Sequence, residues 1–240
     1  MTCALCGADA VLRDSHIIPE FLHRPVYDSK HRALSIGMEA PTRVLQKGLR
    51  DRLLCDDCER RLQKSEHYFA RLWYKDRCIP EMKDDLPLYF DLRGLDYRLF
   101  KLFVLSVVWR AGVSQRPEFA QVSLGPHGEP IRRMLLDGDA GTAREYPIIG
   151  GLIVGPDGAP WDDVLMAPMR IRVARHNAVR MVLAGVSWTI LTSSHPAPTL
   201  DPLCLQEDGT MVMAVADWES HSDVAGIASV AHAVSVPDLR

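Results

Sequence analysis

The chain has 240 residues, with 28 Lys and Arg against 31 Asp and Glu, and 47% hydrophobic residues. That is enough apolar material for a sizeable core, in one large domain or two small ones, and it excludes long-range disorder. A net charge of −3 excludes a polycation that binds nucleic acid by charge alone. The charge is uneven: residues 1–110 hold 19 Lys and Arg against 16 Asp and Glu, and residues 111–240 hold 9 against 15. Contact with a polyanion is therefore expected on the N-terminal part, although two differently charged solvated faces give the same numbers.

The start of the chain, Met1 to Cys6, lacks the basic residues and apolar stretch of a secretory signal. The longest apolar run, Leu102 to Trp109, is far short of the roughly 20 residues that span a bilayer. No membrane association is expected, and the expected compartment is the cytoplasm, where thiols stay reduced. Six cysteines there read as metal ligands or apolar side chains before disulfides.

In chain order, Cys3 to Pro25 is a small turn-rich unit, and Pro19 suits the first turn of a short helix over Glu20, Phe21 and Leu22. Residues 26–52 are irregular, with one strand expected at Ala33 to Ile36. From Asp56 to about Trp73 the pattern is helical: Leu62, Tyr68, Phe69 and Leu72 fall near one face, and Arg60, Arg61 and Lys64 near another. Asp96 is the N-cap of a second helix, Tyr97 to about Ala111, with Gly112 as its stop. That helix is apolar nearly all round and so should be buried. A shorter helix follows at Pro130 to Leu136.

Beyond a polar connection at Asp139 to Glu145, strands are expected at Tyr146–Val154, Val164–Val173, Asn177–Ser187 with Trp188–Thr192, and Thr210–Ala216. The alternation of Ile171, Val173, Val179, Met181 and Leu183 suits a half-buried antiparallel sheet. A last helix is expected after Asp223. The fold class is α+β, with a first unit over residues 1–80 and an α+β unit over 81–240, helical to about 140 and then mainly strands.

The sharpest local signal is two Cys-x2-Cys pairs, Cys3/Cys6 and Cys55/Cys58. Four thiolates close a tetrahedral shell around Zn²⁺, each tight turn supplying two sulfurs. The second pair opens the helix from Asp56, where the helix dipole favours thiolates. Cys78 and Cys204 have no partner at metal spacing and read as core residues. No phosphate-binding glycine loop and no Gly-x-Ser-x-Gly occurs, and His176, His195, His221 and His232 are scattered.

Between the two pairs lies Ser15-His16-Ile17-Ile18-Pro19, and the second pair stands in Leu53-Leu54-Cys55-Asp56-Asp57-Cys58-Glu59. This arrangement resembles the HNH endonuclease superfamily, with its ββα-metal core, over residues 1 to about 70. The chain is also similar to uncharacterised bacterial proteins with an HNH-like start, which share Cys-x-Leu-Cys-Gly, Ser-His-Ile-Ile-Pro, Gln-x-Gly and Leu-Leu-Cys-x-x-Cys-Glu. The stretch from Phe100 to Arg110 fits the same pattern.

The resemblance implies a nuclease that hydrolyses phosphodiesters of DNA, with RNA as the alternative substrate. His16 matches the general base, a role that suits imidazole because its pKa lies near operating pH. Glu59 matches a ligand of a catalytic Mg²⁺ or Mn²⁺ ion. Two positions depart from the family pattern: Ser15 stands where a metal ligand precedes the base, and Gln63 where a histidine is common. Glu59, Gln63 and Glu66 share one helical face, so Glu66 is the candidate second carboxylate, and His67 lies beside it. Arg43, Lys47, Arg50, Arg52, Arg60, Arg61 and Lys64 cluster around the second pair, as phosphate-contacting residues do. Tyr68, Phe69, Trp73 and Tyr74 read as core packing before base stacking. The rival expectation is a catalytically degenerate zinc module that binds nucleic acid or a protein partner, as in a bacterial defence or toxin system. A homo-oligomer is compatible with either.

Overall fold

The computed structural model describes residues 1–35, 43–45, 48–76, 78–79, 89–155 and 158–217. The expected helix after Asp223, residue Ile36 of the expected strand and Lys47 lie outside the described residues, as does the side chain of Arg43.

The chain opens with two loops stitched to each other. Ala4 N donates to Leu53 O at 2.9 Å and Arg13 N to Leu54 O at 2.8 Å. Strand β1, Asp14–His16, leads through helix α1, Glu20–His23. Strands β2, Ala33–Ser35, and β3, Arg43–Leu45, pair with each other. Strand β4, Arg50–Arg52, returns antiparallel to β1, with Ser15 opposite Asp51 and His16 opposite Arg50. Helix α2, Asp56–Ala70, starts directly at the second cysteine pair and ends in a π-helical turn, Arg71–Lys75. Its buried residues Cys58, Leu62, Ser65 and Phe69 recur at three- and four-residue spacing, which gives the helix one inward face.

Strand β5, Tyr89–Leu92, precedes helix α3, Tyr97–Val113. Asp96 caps α3 as expected, its carboxylate accepting from Leu99 N at 2.9 Å. Every residue from Phe100 to Ala111 is buried. Gly112 does not stop the helix; a Cβ there would lie 2.7 Å from the Leu124 side chain, so the glycine is a packing requirement. Helix α4 is Gly128–Asp137.

Five more strands follow: β6, Ile148–Val154; β7, Met166–Val173; β8, His176–Leu183; β9, Val186–Leu191; and β10, Met211–Asp217. The sheet order is β5-β10-β6-β9-β8-β7. The fold is α+β, but the sheet is mixed rather than antiparallel and not wholly C-terminal: β10 runs parallel to β6, and β5 joins from before α3. The expected strand across residues 177–187 is broken by a two-residue turn. Ala184 and Gly185 both adopt positive φ, 54° and 74°, which matches the right-handed twist of a tight hairpin.

One hydrophobic cluster runs from Cys3 and Leu5 through α2 and α3 to Met213 on the sheet. At its centre Phe69 stacks on Phe103 at 4.1 Å and on Trp73 at 4.9 Å, and Phe100 meets Trp188 edge-on at 5.4 Å. The aromatic residues of α2 that reach this cluster are core, as expected. None of the described helices is long and apolar enough to cross a membrane.

Candidate metal centre and adjoining cavity

The four cysteines of the two pairs converge. Their sulfurs all lie within 4.8 Å of one another, and the Cys6 and Cys55 sulfurs are 3.9 Å apart. Two thiolates bound to one tetrahedral Zn²⁺ at about 2.3 Å must sit about 3.8 Å apart, so the spacing fits that ion. The first turn is closed by Gly7 N donating to Cys3 O at 2.9 Å, with Gly7 at φ +76°, a conformation glycine adopts without strain. The second turn is the start of α2 itself, Glu59 N donating to Cys55 O at 3.0 Å.

Electrostatics of the cluster also call for a cation. Burial pushes the Cys3 thiol up, but N–H groups of Cys6, Cys55 and Leu5 outweigh it and bring it down to about 7. Burial, and then the neighbouring thiols, push Cys58 well above the usual range. Four sulfurs so close cannot all ionise without a central positive charge. Two long-range contacts brace the cluster: Arg132 of α4 donates to the Leu5 carbonyl, and Arg61 donates to Leu136 O at 2.6 Å.

Residue Glu59, one position after Cys58, faces a separate cavity of about 480 Å³. Its walls include His16 at the end of β1, Glu20 and Phe21 of α1, Glu59, Gln63, Glu66 and His67 of α2, and Arg110 of α3. The three residues expected to carry chemistry, His16, Glu59 and Glu66, therefore share one space. Their situations differ. Glu59 Oε1 is buried and has no hydrogen-bond partner among the described residues. Glu66 Oε1 is held at 2.8 Å by Arg110, whose side chain is only 2% exposed. Arg110 also donates to His16 O at 2.8 Å and to Ser106 O at 3.3 Å, so one buried guanidinium ties β1 and α2 to α3.

His16 Nε2 lies 2.7 Å from Glu20 Oε2. The contact is short but bent, and neither atom has an aligned partner. Burial, followed by the charge of Arg50, depresses the imidazole pKa below its ordinary value, against the opposing pull of Glu20. His16 is thus held in its neutral, basic form at neutral pH. His23 is buried close by, and Gly48 lets the backbone close over both rings: a Cβ there would lie 2.7 Å from His23 Nε2 and 3.2 Å from His16 Cδ2. Ser15 is 2% exposed, with its hydroxyl turned towards Arg13 O at 3.5 Å. Asp14 is exposed and pairs with Arg50 at 3.4 Å.

Sequence reasoning did not single out Glu20 or Arg110. The i, i+4 spacing of His16 and Glu20 was a usable signal, and so was an arginine inside an otherwise apolar helix, which demands a buried acid. Three of the seven residues of the expected basic cluster have intramolecular partners: Arg50 on Asp14, Arg60 on Asp56 at 3.1 Å, and Arg61 on the Leu136 carbonyl. Among the described residues, only the four cysteines gather three or more His, Cys, Asp or Glu ligand atoms at metal-binding distance. No family model, no curated protein and no solved structure matches this chain.

Proposed function

We propose that the chain is a zinc-stabilised, HNH-like nuclease that hydrolyses DNA phosphodiesters with the aid of a divalent ion. The observation that carries this reading is the shared cavity of His16 and Glu59, set immediately beside the four-cysteine cluster. The antiparallel pairing of β1 with β4, followed directly by α2 with a cysteine pair at its start, supports the reading, because a ββα-metal unit needs two paired strands and a helix.

The buried, unpartnered Glu59 Oε1 fits a hard cation such as Mg²⁺ or Mn²⁺, which takes one or two carboxylates and fills its shell with water and phosphate oxygens. When bound, such an ion would stabilise negative charge on the phosphate and the leaving oxygen. His16 takes a proton from water, and the oxygen so activated attacks phosphorus as the opposite P–O bond breaks. Its neutral state at pH 7 suits that role. Glu66 pairs with Arg110 and holds it in place, and Arg110 fixes the carbonyl of His16.

The test is plasmid nicking in Mg²⁺ and in Mn²⁺, with RNA alongside, for wild type, His16→Ala and Glu59→Ala. His16→Ala should slow cleavage by at least about 100-fold while zinc content and Tm stay nearly unchanged. Glu59→Ala should lose activity that extra Mn²⁺ partly restores. Activity that survives His16→Ala would place the chemistry elsewhere.

A second reading has its own observation. Ser15 is buried and Glu66 is paired with Arg110, so the cavity holds few ligands for a metal. This favours a degenerate zinc module that binds nucleic acid or a protein partner. Wild type that never cleaves, yet binds DNA with steep salt dependence, would establish that reading instead.

A further inference from the structure

We infer that Glu20 is a positioning residue for His16: its carboxylate holds the imidazole through Nε2 and leaves Nδ1 as the basic nitrogen. The inference rests on the reading of His16 as the base, and it assigns a role to an acid outside the motif that suggested that base.

Three observations carry it. First, Nε2 and Oε2 are 2.7 Å apart and both atoms are buried, with the Tyr27 hydroxyl as a second polar neighbour of the carboxylate. A buried polar atom left without a partner is costly, which favours keeping the imidazole and the carboxylate together. The bend in the contact does not argue against it, because hydrogen bonds of a catalytic pair are often poorly aligned until substrate binds. Second, the pair is fixed from both ends. Pro19 precedes the first turn of α1 and sets Glu20 four residues from His16, while Arg110 grips the His16 carbonyl at 2.8 Å. The ring therefore has a pinned backbone on one side and a pinned nitrogen on the other. Third, the Glu20 oxygen that meets His16 is itself buried although the side chain is 42% exposed, and its charge reaches the neighbouring groups. Burial and then the charge of Glu20 push the Tyr27 phenol up, and the same charge acts on His23. Glu20 is the acid around which His16, His23 and Tyr27 are arranged.

A carboxylate on one ring nitrogen of a neutral histidine fixes the proton there, which determines the tautomer and frees the other nitrogen to accept a proton. This is the arrangement by which a third group orients a base towards the atom it deprotonates. The residue order makes it compact, since strand end, proline and one helical turn bring base and orienting acid together within five residues.

The test combines ring-nitrogen NMR with cleavage kinetics on the full chain. His16 signals are assigned by their loss in His16→Ala. In wild type at pH 7.5 His16 should carry its proton on Nε2. Glu20→Ala should abolish that preference, and Glu20→Gln, which keeps an acceptor oxygen, should restore part of it. In Mn²⁺-supported nicking, Glu20→Ala should lower kcat by about 10–100-fold with KM little changed, and Glu20→Gln should recover part of the loss. A purely structural Glu20 would move Tm and leave the tautomer alone. An Nδ1-protonated His16 in wild type, or a tautomer indifferent to Glu20→Ala, overturns the inference. Wild type that does not cleave overturns the hydrolase reading, while the ring spectra still decide the pair.

Discussion

At the four-cysteine cluster the ligand atoms already lie within 4.8 Å of one another, whereas in the cavity one residue further along α2 no three ligand atoms of His, Cys, Asp or Glu are so gathered among the described residues. The first region offers a complete set of four ligands: sulfurs face sulfurs, backbone N–H groups donate to Cys3, and arginines from outside brace the turns. The second offers an incomplete set on a polar wall, with a buried carboxylate oxygen on Glu59 and a short His16–Glu20 contact. A closed shell holds an ion for folding; an open one keeps positions for water and substrate. The same helix start serves both, since Cys58 and Glu59 are neighbours on α2 and face different regions.

The largest effect is expected where the closed shell is opened. Structural zinc contributes about 10–16 kcal/mol in zinc-finger peptides near pH 7, comparable to or above the roughly 5–15 kcal/mol that hold a whole domain. Cys55→Ser should therefore abolish the cooperative melt of the N-terminal unit, and chelation of wild type should do the same. Elemental analysis should return about one zinc per chain for wild type. A metal-free protein that melts like wild type would break the comparison at its root.

The next effect separates two roles for Glu66. As a metal ligand alone, it would matter to activity and little to the fold. As the counter-charge of Arg110, it holds a guanidinium that is 2% exposed. Removing one partner of a buried pair costs about 3–5 kcal/mol, because the other charge is left uncompensated. Glu66→Gln should lower stability by that order in denaturant titrations, and the double variant Glu66→Gln, Arg110→Met should recover much of it. Stability unchanged in Glu66→Gln would return that carboxylate to the metal.

What could be read from the sequence divides along the same line. The four-cysteine cluster was legible because its information is local: two Cys-x2-Cys turns state ligand type and spacing within a few residues. So were His16, Glu59 and Glu66 as neighbours of one site, since motif and helical periodicity put them there. Arg110 was not legible as a site residue, because its partners are the Glu66 carboxylate on α2 and a carbonyl 94 positions away. Within the sequence it looked like the polar end of an apolar helix. Gly112 carried a stop signal that packing against Leu124 overrode. The parallel pairing of β10 with β6 is a tertiary choice, and strand alternation says nothing of direction.

The smallest effect concerns a second buried cation on α3, Lys101, which sharpens the contrast with Arg110. Arg110 has an acid in contact; among the described residues Lys101 donates to Thr142 O at 2.6 Å and to the Tyr97 hydroxyl at 3.0 Å. Burial lowers its pKa to about 8 from an ordinary 10.5, despite the more distant charges of Glu145, Glu207 and Asp139. Below pH 8 the lysine is protonated in both folded and unfolded chains, so it contributes no slope. Between pH 8 and 10.5 the folded lysine has released its proton while the unfolded one retains it. The unfolded state then binds more protons, and stability rises with pH through that window. The Tyr97 phenol, pushed above its ordinary value chiefly by burial, stays protonated there and does not mask the trend. Lys101→Met removes the titrating group, whereas zinc–thiolate effects are common to both proteins and cancel in the difference. Urea unfolding at pH 7.5, 8.5 and 9.5 should show wild type gaining about 1–2 kcal/mol relative to Lys101→Met across the series. Parallel pH profiles for the two proteins would mean that water reaches the Lys101 ammonium, and that α3 is less tightly closed at its first turns than at Arg110.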